Sequence, residues 1–310
     1  VRKGDEHFQL VDHPPRVAAD GAEGKSLPRQ VRGDAAIAPG RRWPYLYAMR
    51  SLIPFLKKPP LVPVIRLQGT IGTGRNALSD AGLAPVIEKA FRMKPAAVAL
   101  AINSPGGSAV QSSLIAARIR RLAEKKGIPV HAFVEDVAAS GGYWLACAAD
   151  QIWVDDSSLV GSIGVIFASF GFPDFMARHG IERRVVTAGK SKSLADPFLP
   201  AKPEDVERLR ALSAPVHAAF IAHVKARRGA RLAEADLFNA DIWVGAQAAD
   251  LGLVDGVAHL APKMQELYGD KLRLVPMGQK KGLLSRFGLN IAEDVMIAAE
   301  ERALWARYGL

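Results

Sequence analysis

Seven consecutive residues, Ala96-Ala97-Val98-Ala99-Leu100-Ala101-Ile102, carry no polar side chain. The run is short for a buried helix and lacks the alternation of a half-wet strand. It reads as a strand covered on both faces, as in a parallel sheet. Parallel neighbours need crossover connections, and the flanking sequence supplies them. Residues 61–67 read as a strand. Residues 78–93 place Leu83, Val86, Ile87, Ala90 and Phe91 on one helical stripe. Residues 110–124 form the next helix and residues 130–134 the next strand. Strand and helix alternate, which predicts an α/β domain with a mainly parallel sheet and right-handed crossovers. Sites in such sheets gather at the C-terminal ends of strands. Two glycine turns stand at such ends, Ser104-Pro105-Gly106-Gly107 and Ser140-Gly141-Gly142.

Further along, residues 151–154 read as a strand, 159–166 as an apolar segment punctuated by glycine, 172–179 as a short helix and 182–186 as a strand. Residues 203–228 form a long helix, with Pro203-Glu204-Asp205 suited to its first turn. Residues 233–238 and 246–251 are shorter helices, residues 272–275 a last strand, and 291–308 an amphipathic helix. Three regions follow. Residues 1–58 are a disordered basic arm, 59–275 the folded domain, and 276–310 a helical extension.

The chain is 49% hydrophobic and 23% charged, an ordinary soluble composition, with a net charge of +10. No aromatic-studded basic strand or Cys/His pairing accompanies that charge, so no nucleic-acid role is assigned. One cysteine, Cys147, excludes internal disulfides and a cysteine-based zinc site. It lies on an apolar helix, where a small buried thiol is expected. No stretch has the roughly 18 apolar residues of a spanning helix, and no signal peptide stands at Val1. Residues 41–58 carry five basic side chains, no acid, and interleaved aromatics. That mixture suits peripheral contact with an anionic membrane, or a linker packed on the domain.

Ser140 follows a strand and precedes the helix of residues 143–149. A side chain on such a turn projects beside free helical N–H groups, which suits a nucleophile; a serine N-cap beside two glycines is the simpler alternative. A serine hydroxyl needs a base. Of the seven histidines none stands in a motif, and His217 and His223 read as face residues of the long helix. A lysine freed of its proton by an apolar setting is the other choice. Lys190 and Lys192 occupy a loop of small and apolar residues, with Asp196 the nearest acid.

At this point the residues resemble a known family. Ser104-Pro105-Gly106-Gly107, Ala139-Ser140-Gly141-Gly142-Tyr143, Gly161-Ser162-Ile163-Gly164-Val165 and Gly245-Ala246-Gln247-Ala248-Ala249 with Leu251-Gly252-Leu253-Val254-Asp255 occur in the order seen in the signal peptide peptidase A family of serine peptidases. The resemblance spans residues 62–260. It implies a Clp/crotonase-like spiral of ββα units and an endopeptidase that cleaves hydrophobic peptides through an acyl-enzyme, with no cofactor or metal. Ser140 is similar to the family's nucleophile and Lys192 to its general base. Ser162 resembles the serine that orients the lysine. Gly107 and Gly141 resemble the oxyanion-hole donors. The resemblance also implies a homo-oligomeric ring and a bacterial protein, membrane-associated or cytoplasmic.

Three other readings use the same residues. A Clp-type protease needs a histidine about twenty-five residues after its serine, where this chain has Val165-Ile166-Phe167. A crotonase would polarise an acyl-CoA thioester and leave Ser140 and Lys192 incidental. An inactive scaffold has no evident need for both serines, the lysine and both glycine turns.

Overall fold

The computed structural model describes residues 59–72, 74, 77–189, 192–278 and 302–310. The chain divides into compact units at Val1–Leu56 and Lys57–Leu310. The first lies outside the described residues, as do the basic segment 41–58, Lys190 and most of the C-terminal extension.

The second unit is a mixed α/β domain around a mainly parallel sheet. Its strands are β1 (Leu61–Gln68), β2 (Val98–Ser104), β3 (Val130–Ala139), β4 (Gln151–Val154), β5 (Leu159–Gly161), β6 (Ile242–Val244), β7 (Gly256–Val257) and β8 (Arg273–Met277). They run in the order β6-β5-β3-β2-β1-β8, with β4 on β3 and β7 on β4. Among the described residues only the β5–β6 pair is antiparallel. All seven residues of β2 are buried, as expected of a central strand covered on both sides.

β3 is shared between two neighbours. Its first half pairs with β4, Phe133 opposite Trp153, and its second half with β5, Ala139 opposite Gly161. The sheet therefore forks just before Ser140. The sequence reading ended this strand at residue 134, because Glu135-Asp136 breaks its apolar run. The ladder to β5 carries it five residues further.

Helices α1 (Asp80–Arg92), α2 (Ala109–Lys126) and α3 (Gly141–Ala146) cover one face. The expected stripe of α1 is buried at Leu83, Ile87, Ala90 and Phe91, and its N-cap Ser79 accepts from Gly82 N–H. Arg118 on α2 clasps Asp80 with two hydrogen bonds of 2.7 Å. That hydrogen bonding holds the Asp80 carboxyl below its usual range. A smaller cluster of Val62, Ala99, Phe133, Trp153 and Met264 lies on the other face under α7 (Leu260–Tyr268). The remaining helices are α4 (Pro173–Arg178), α5 (Pro203–Arg228) and α6 (Gly245–Asp250).

Two expected elements are absent. Residues 182–186 form no strand: they are exposed, and no strand lies beside them to complete a ladder. Residues 233–238 form no helix; the chain there turns back, Ala233 N–H bonding Leu251 O at 3.1 Å. Of the expected C-terminal helix, residues 302–306 are helical and the rest lies outside the described residues. No helix among the described residues is long and apolar enough to cross a membrane.

Candidate active site

Ser140 occupies the single residue between β3 and α3. Its φ is 51° and ψ −120°, a conformation that non-glycine residues rarely adopt. It is held there from both sides. Ser140 N–H donates to Gly161 O at 2.8 Å, and its carbonyl accepts from Trp144 N–H at 3.0 Å. The Ser140 side chain makes no capping hydrogen bond, so the serine N-cap alternative fails. A strained backbone and an uncommitted hydroxyl leave Oγ projecting from the turn.

The turn after β2 is built against this serine. Gly106 has φ +102°, and a Cβ there would come within 2.8 Å of Ser140 Cβ and 2.9 Å of Gly141 N. Only a glycine lets the two turns approach so closely. Buried Ser104 steadies the loop by accepting Gly106 N–H at 3.2 Å. Gly107 packs on the Ile71 backbone, and its amide nitrogen lies 3.4 Å from where a Cβ of Gly141 would stand. Among the described residues, neither the Gly107 nor the Gly141 N–H has a backbone acceptor. Two free donors thus converge beside Ser140.

Ser162 follows β5 as Ser140 follows β3. Because Ala139 pairs with Gly161, the two serines are the next residues across the same register. Ser162 also has positive φ, 52°, and its N–H donates to Asp241 O at 2.7 Å. The strand behind that bond, β6, was not anticipated; three residues carry too little pattern to read.

Ser140, Ser162, Gly107 and Gly141 are therefore gathered at one end of the sheet. Among the described residues, Lys192 is not joined to them by a hydrogen bond or ion pair. It sits in a turn, exposed, its N–H bonding Gly189 O at 3.3 Å. Its amine forms no ion pair or hydrogen bond among the described residues. Asp196, the acid nearest in sequence, is engaged by Arg183 at 2.9 Å. The surrounding segment exposes Ile166, Phe167, Phe170, Phe175 and Val186.

Cys147 is buried beyond α3, and burial pushes its thiol up to about 12. A cavity of about 580 Å³ on the α7 side of the sheet is lined by Ala101, Phe133, Glu135, Asp155, His259 and Tyr308, and holds none of the five expected site residues.

Residues 122–269 match the model of peptidase family S49. This stretch of the chain is similar to that family. The S49 match contains Ser140, Gly141, Ser162 and Lys192, while Gly107 precedes it. The chain is 48% identical over 271 residues to a protein of Brucella melitensis named a Na⁺/H⁺ antiporter, covering 80% of this chain and 37% of that protein. It is 31% identical over 210 residues to the chloroplastic serine protease SPPA of Arabidopsis thaliana, covering 64% of this chain and 31% of that one. It thus spans about a third of the length of these relatives. Among solved structures, a membrane-bound stomatin-specific protease covers 72% of this chain and 99% of its own, at 15% identity and a TM-score of 0.44.

Proposed function

We propose that this chain is a serine endopeptidase that cleaves hydrophobic peptides, with Ser140 as nucleophile and Lys192 as general base. The observation that carries the reading is the Ser140 turn: an uncommitted hydroxyl on a strained strand–helix junction, beside two free N–H donors, within a stretch of a serine peptidase family. Ser140 Oγ attacks the scissile carbonyl carbon as its proton passes to the neutral Lys192 amine. The negative oxygen of the tetrahedral species is held by Gly107 and Gly141 N–H. The C–N bond breaks, the lysine ammonium gives its proton to the leaving amine, and an ester on Ser140 remains. Water, deprotonated by the same lysine, hydrolyses that ester. Ser162 orients the lysine from the neighbouring strand end.

The exposed position of Lys192 has to change for this chemistry. Covering the apolar segment around it, in a homo-oligomeric ring of this chain, would bring a lysine to each Ser140 and dry its surroundings. The same apolar surface, next to Ser162, favours hydrophobic substrates. Residues 41–58 are proposed to touch anionic membranes peripherally; equal, negligible co-sedimentation with liposomes by the full chain and by residues 59–310 would end that idea. The antiporter activity in the Brucella protein's name is not carried over.

The test is cleavage of quenched apolar peptides by wild type, Ser140→Ala and Lys192→Ala between about pH 6 and 10. Activity in the wild type alone, rising with pH, is the expected result. Cleavage that survives Ser140→Ala overturns the nucleophile, and loss in Lys190→Ala but not in Lys192→Ala reassigns the base.

A further inference from the structure

The two serine turns are tied to each other directly by the Ser140 N–H to Gly161 O bond. They are tied a second time, through α5. A helix leaves its last carbonyls without intrahelical partners. At the end of α3, Tyr143 O accepts Cys147 N–H, Leu145 O accepts Ala148 N–H and Ala146 O accepts Ala149 N–H. Trp144 O is taken by His223, whose Nε2 donates at 3.1 Å. The His223 ring also stacks on the Trp144 indole, centroids 5.0 Å apart and planes 17° apart, beside Phe220 at 4.8 Å. Six residues earlier on the same helix, His217 Nε2 donates to Ile163 O at 3.0 Å. Ile163 is the residue after Ser162. Trp144 is the residue whose N–H holds the Ser140 carbonyl.

We infer that His217 and His223 are positioning residues of the active site, which use α5 as a common rail to hold the Ser162 turn and the Ser140 helix in register. The inference rests on the peptidase reading and adds two residues to it. Both serines sit at positive φ, where the backbone returns to ordinary conformations unless its surroundings hold it. The β3–β5 ladder holds the strand side of each turn. On the side leading away from the sheet, His217 holds Ile163 O and His223 holds Trp144 O, while Arg227 of the same helix takes Cys147 O at 2.9 Å and Tyr143 Oη donates to Leu253 O at 2.7 Å. Both rings donate to a carbonyl, so each bond needs a proton on Nε2 and persists whether or not Nδ1 is protonated. Neither ring contacts Ser140, and neither is a general base here. Asp205, in the first turn of α5, accepts the Ala195 N–H of the Lys192 loop at 3.4 Å.

The experiment uses the full 310-residue chain and three variants. His217→Leu removes the donor, His217→Gln keeps a donor of similar reach, and His223→Phe keeps the stack on Trp144 while losing the N–H. For each, kcat and KM on an apolar fluorogenic peptide, the rate of Ser140 labelling by a small fluorophosphonate, and the melting temperature are measured. The expected result is a fall in kcat and in labelling rate of about tenfold for His217→Leu and about fivefold for His223→Phe. KM should stay within about twofold, and His217→Gln should recover at least half the lost rate; these are magnitudes ordinary for losing one supporting hydrogen bond. A loss that follows melting temperature, or appears in KM alone, or is not relieved by glutamine in a folded protein, overturns the inference. So does wild-type kcat in His217→Leu. A wild type that neither cleaves peptide nor takes the label overturns the peptidase reading itself, which separates the two failures.

Discussion

The Ser140 turn and the Lys192 segment lie within one family match and could hardly be built more differently. Around Ser140, the end of the strand behind, the helix ahead and Gly106 of the facing turn are buried, and most backbone groups other than the Gly107 and Gly141 N–H donors are matched to named partners. Around Lys192, the described residues between 165 and 202 form one short helix, α4, with no buried residue, and a row of exposed phenylalanines. The first region is complete within one chain. The second has apolar surface that a single chain leaves in water, the usual mark of a surface that meets another molecule. A nucleophile has to be held in a strained conformation before substrate arrives, whereas its base has only to arrive with it.

The largest test of this contrast is a pair of side-chain deletions. Arg228 is buried, donating to Asp255 Oδ2 at 2.8 Å and to Gly252 O at 2.9 Å. Arg228→Leu takes the nearer cation from Asp255, leaving it Arg231 at 3.5 Å, and should cost about 3 kcal/mol in urea unfolding. Phe170→Ala, at 70% exposure, should change stability by about 0.5 kcal/mol or less. Comparable losses from both would mean that the 165–202 segment is packed in solution.

A matched pair of glycines sharpens the point. Gly106 and Gly189 have φ of 102° and 99°, so alanine is strained at either. At Gly189 nothing lies within 4 Å of the added methyl, and the strain of about 1–3 kcal/mol stands alone. At Gly106 the methyl also meets Ser140 Cβ, so Gly106→Ala should lose peptide cleavage that Gly189→Ala largely keeps. Equal kinetics for the two would separate the glycine turn from the nucleophile.

Acid should act on the body of the domain before it acts on the Lys192 segment. Burial lowers the affinity of both His131 and His223 for a proton. The unfolded chain, with histidines near 6.5, binds those protons first. Stability is therefore full above about pH 6.5 and declines as pH falls from there toward the lower folded values. Asp80, held low by Arg118, adds to the loss only below the carboxylate range near 3.8. Melting curves from pH 8 to pH 5 should show the decline, and His223→Phe should flatten part of it. A flat profile in the wild type would deny the burial of both rings.

The smallest expected effect is a null one. Cys147, fully buried with its thiol near 12, should resist a maleimide at pH 8 until the protein unfolds. Labelling of the folded chain at the rate of a free thiol would show α3 opening far more often than its packing allows.

Much of the frame was legible because it is written in long, consistent signals. The unbroken apolar run of β2 announced a parallel interior, and the stripe on α1 is buried as read. The turns at Gly106-Gly107 and Ser140-Gly141 were legible through their glycines, and Ser162 through its motif. What was missed depends on partners distant in sequence. β6 is three residues long and exists through its pairing with β5, and residues 182–186 look like a strand but have none beside them. The histidines of α5 read as face residues, because nothing local says that the face meets two carbonyls. Where Lys192, the proposed base, would act could not be read for the same reason: its residue type and spacing are local, while its destination is not.

The fork in β3 has a kinetic consequence. Every strand that frames the Ser140 turn from the side of the fork, β2 through β5, is drawn from one continuous stretch of chain, whereas β1 finds β8 only across almost the whole domain. Contacts close in sequence cost less chain entropy to form, so folding favours them early. The Ser140 turn therefore belongs to the part of the sheet whose pairing costs the least chain entropy. The β1–β8 ladder, whose strands lie farthest apart in sequence, costs the most chain entropy to close.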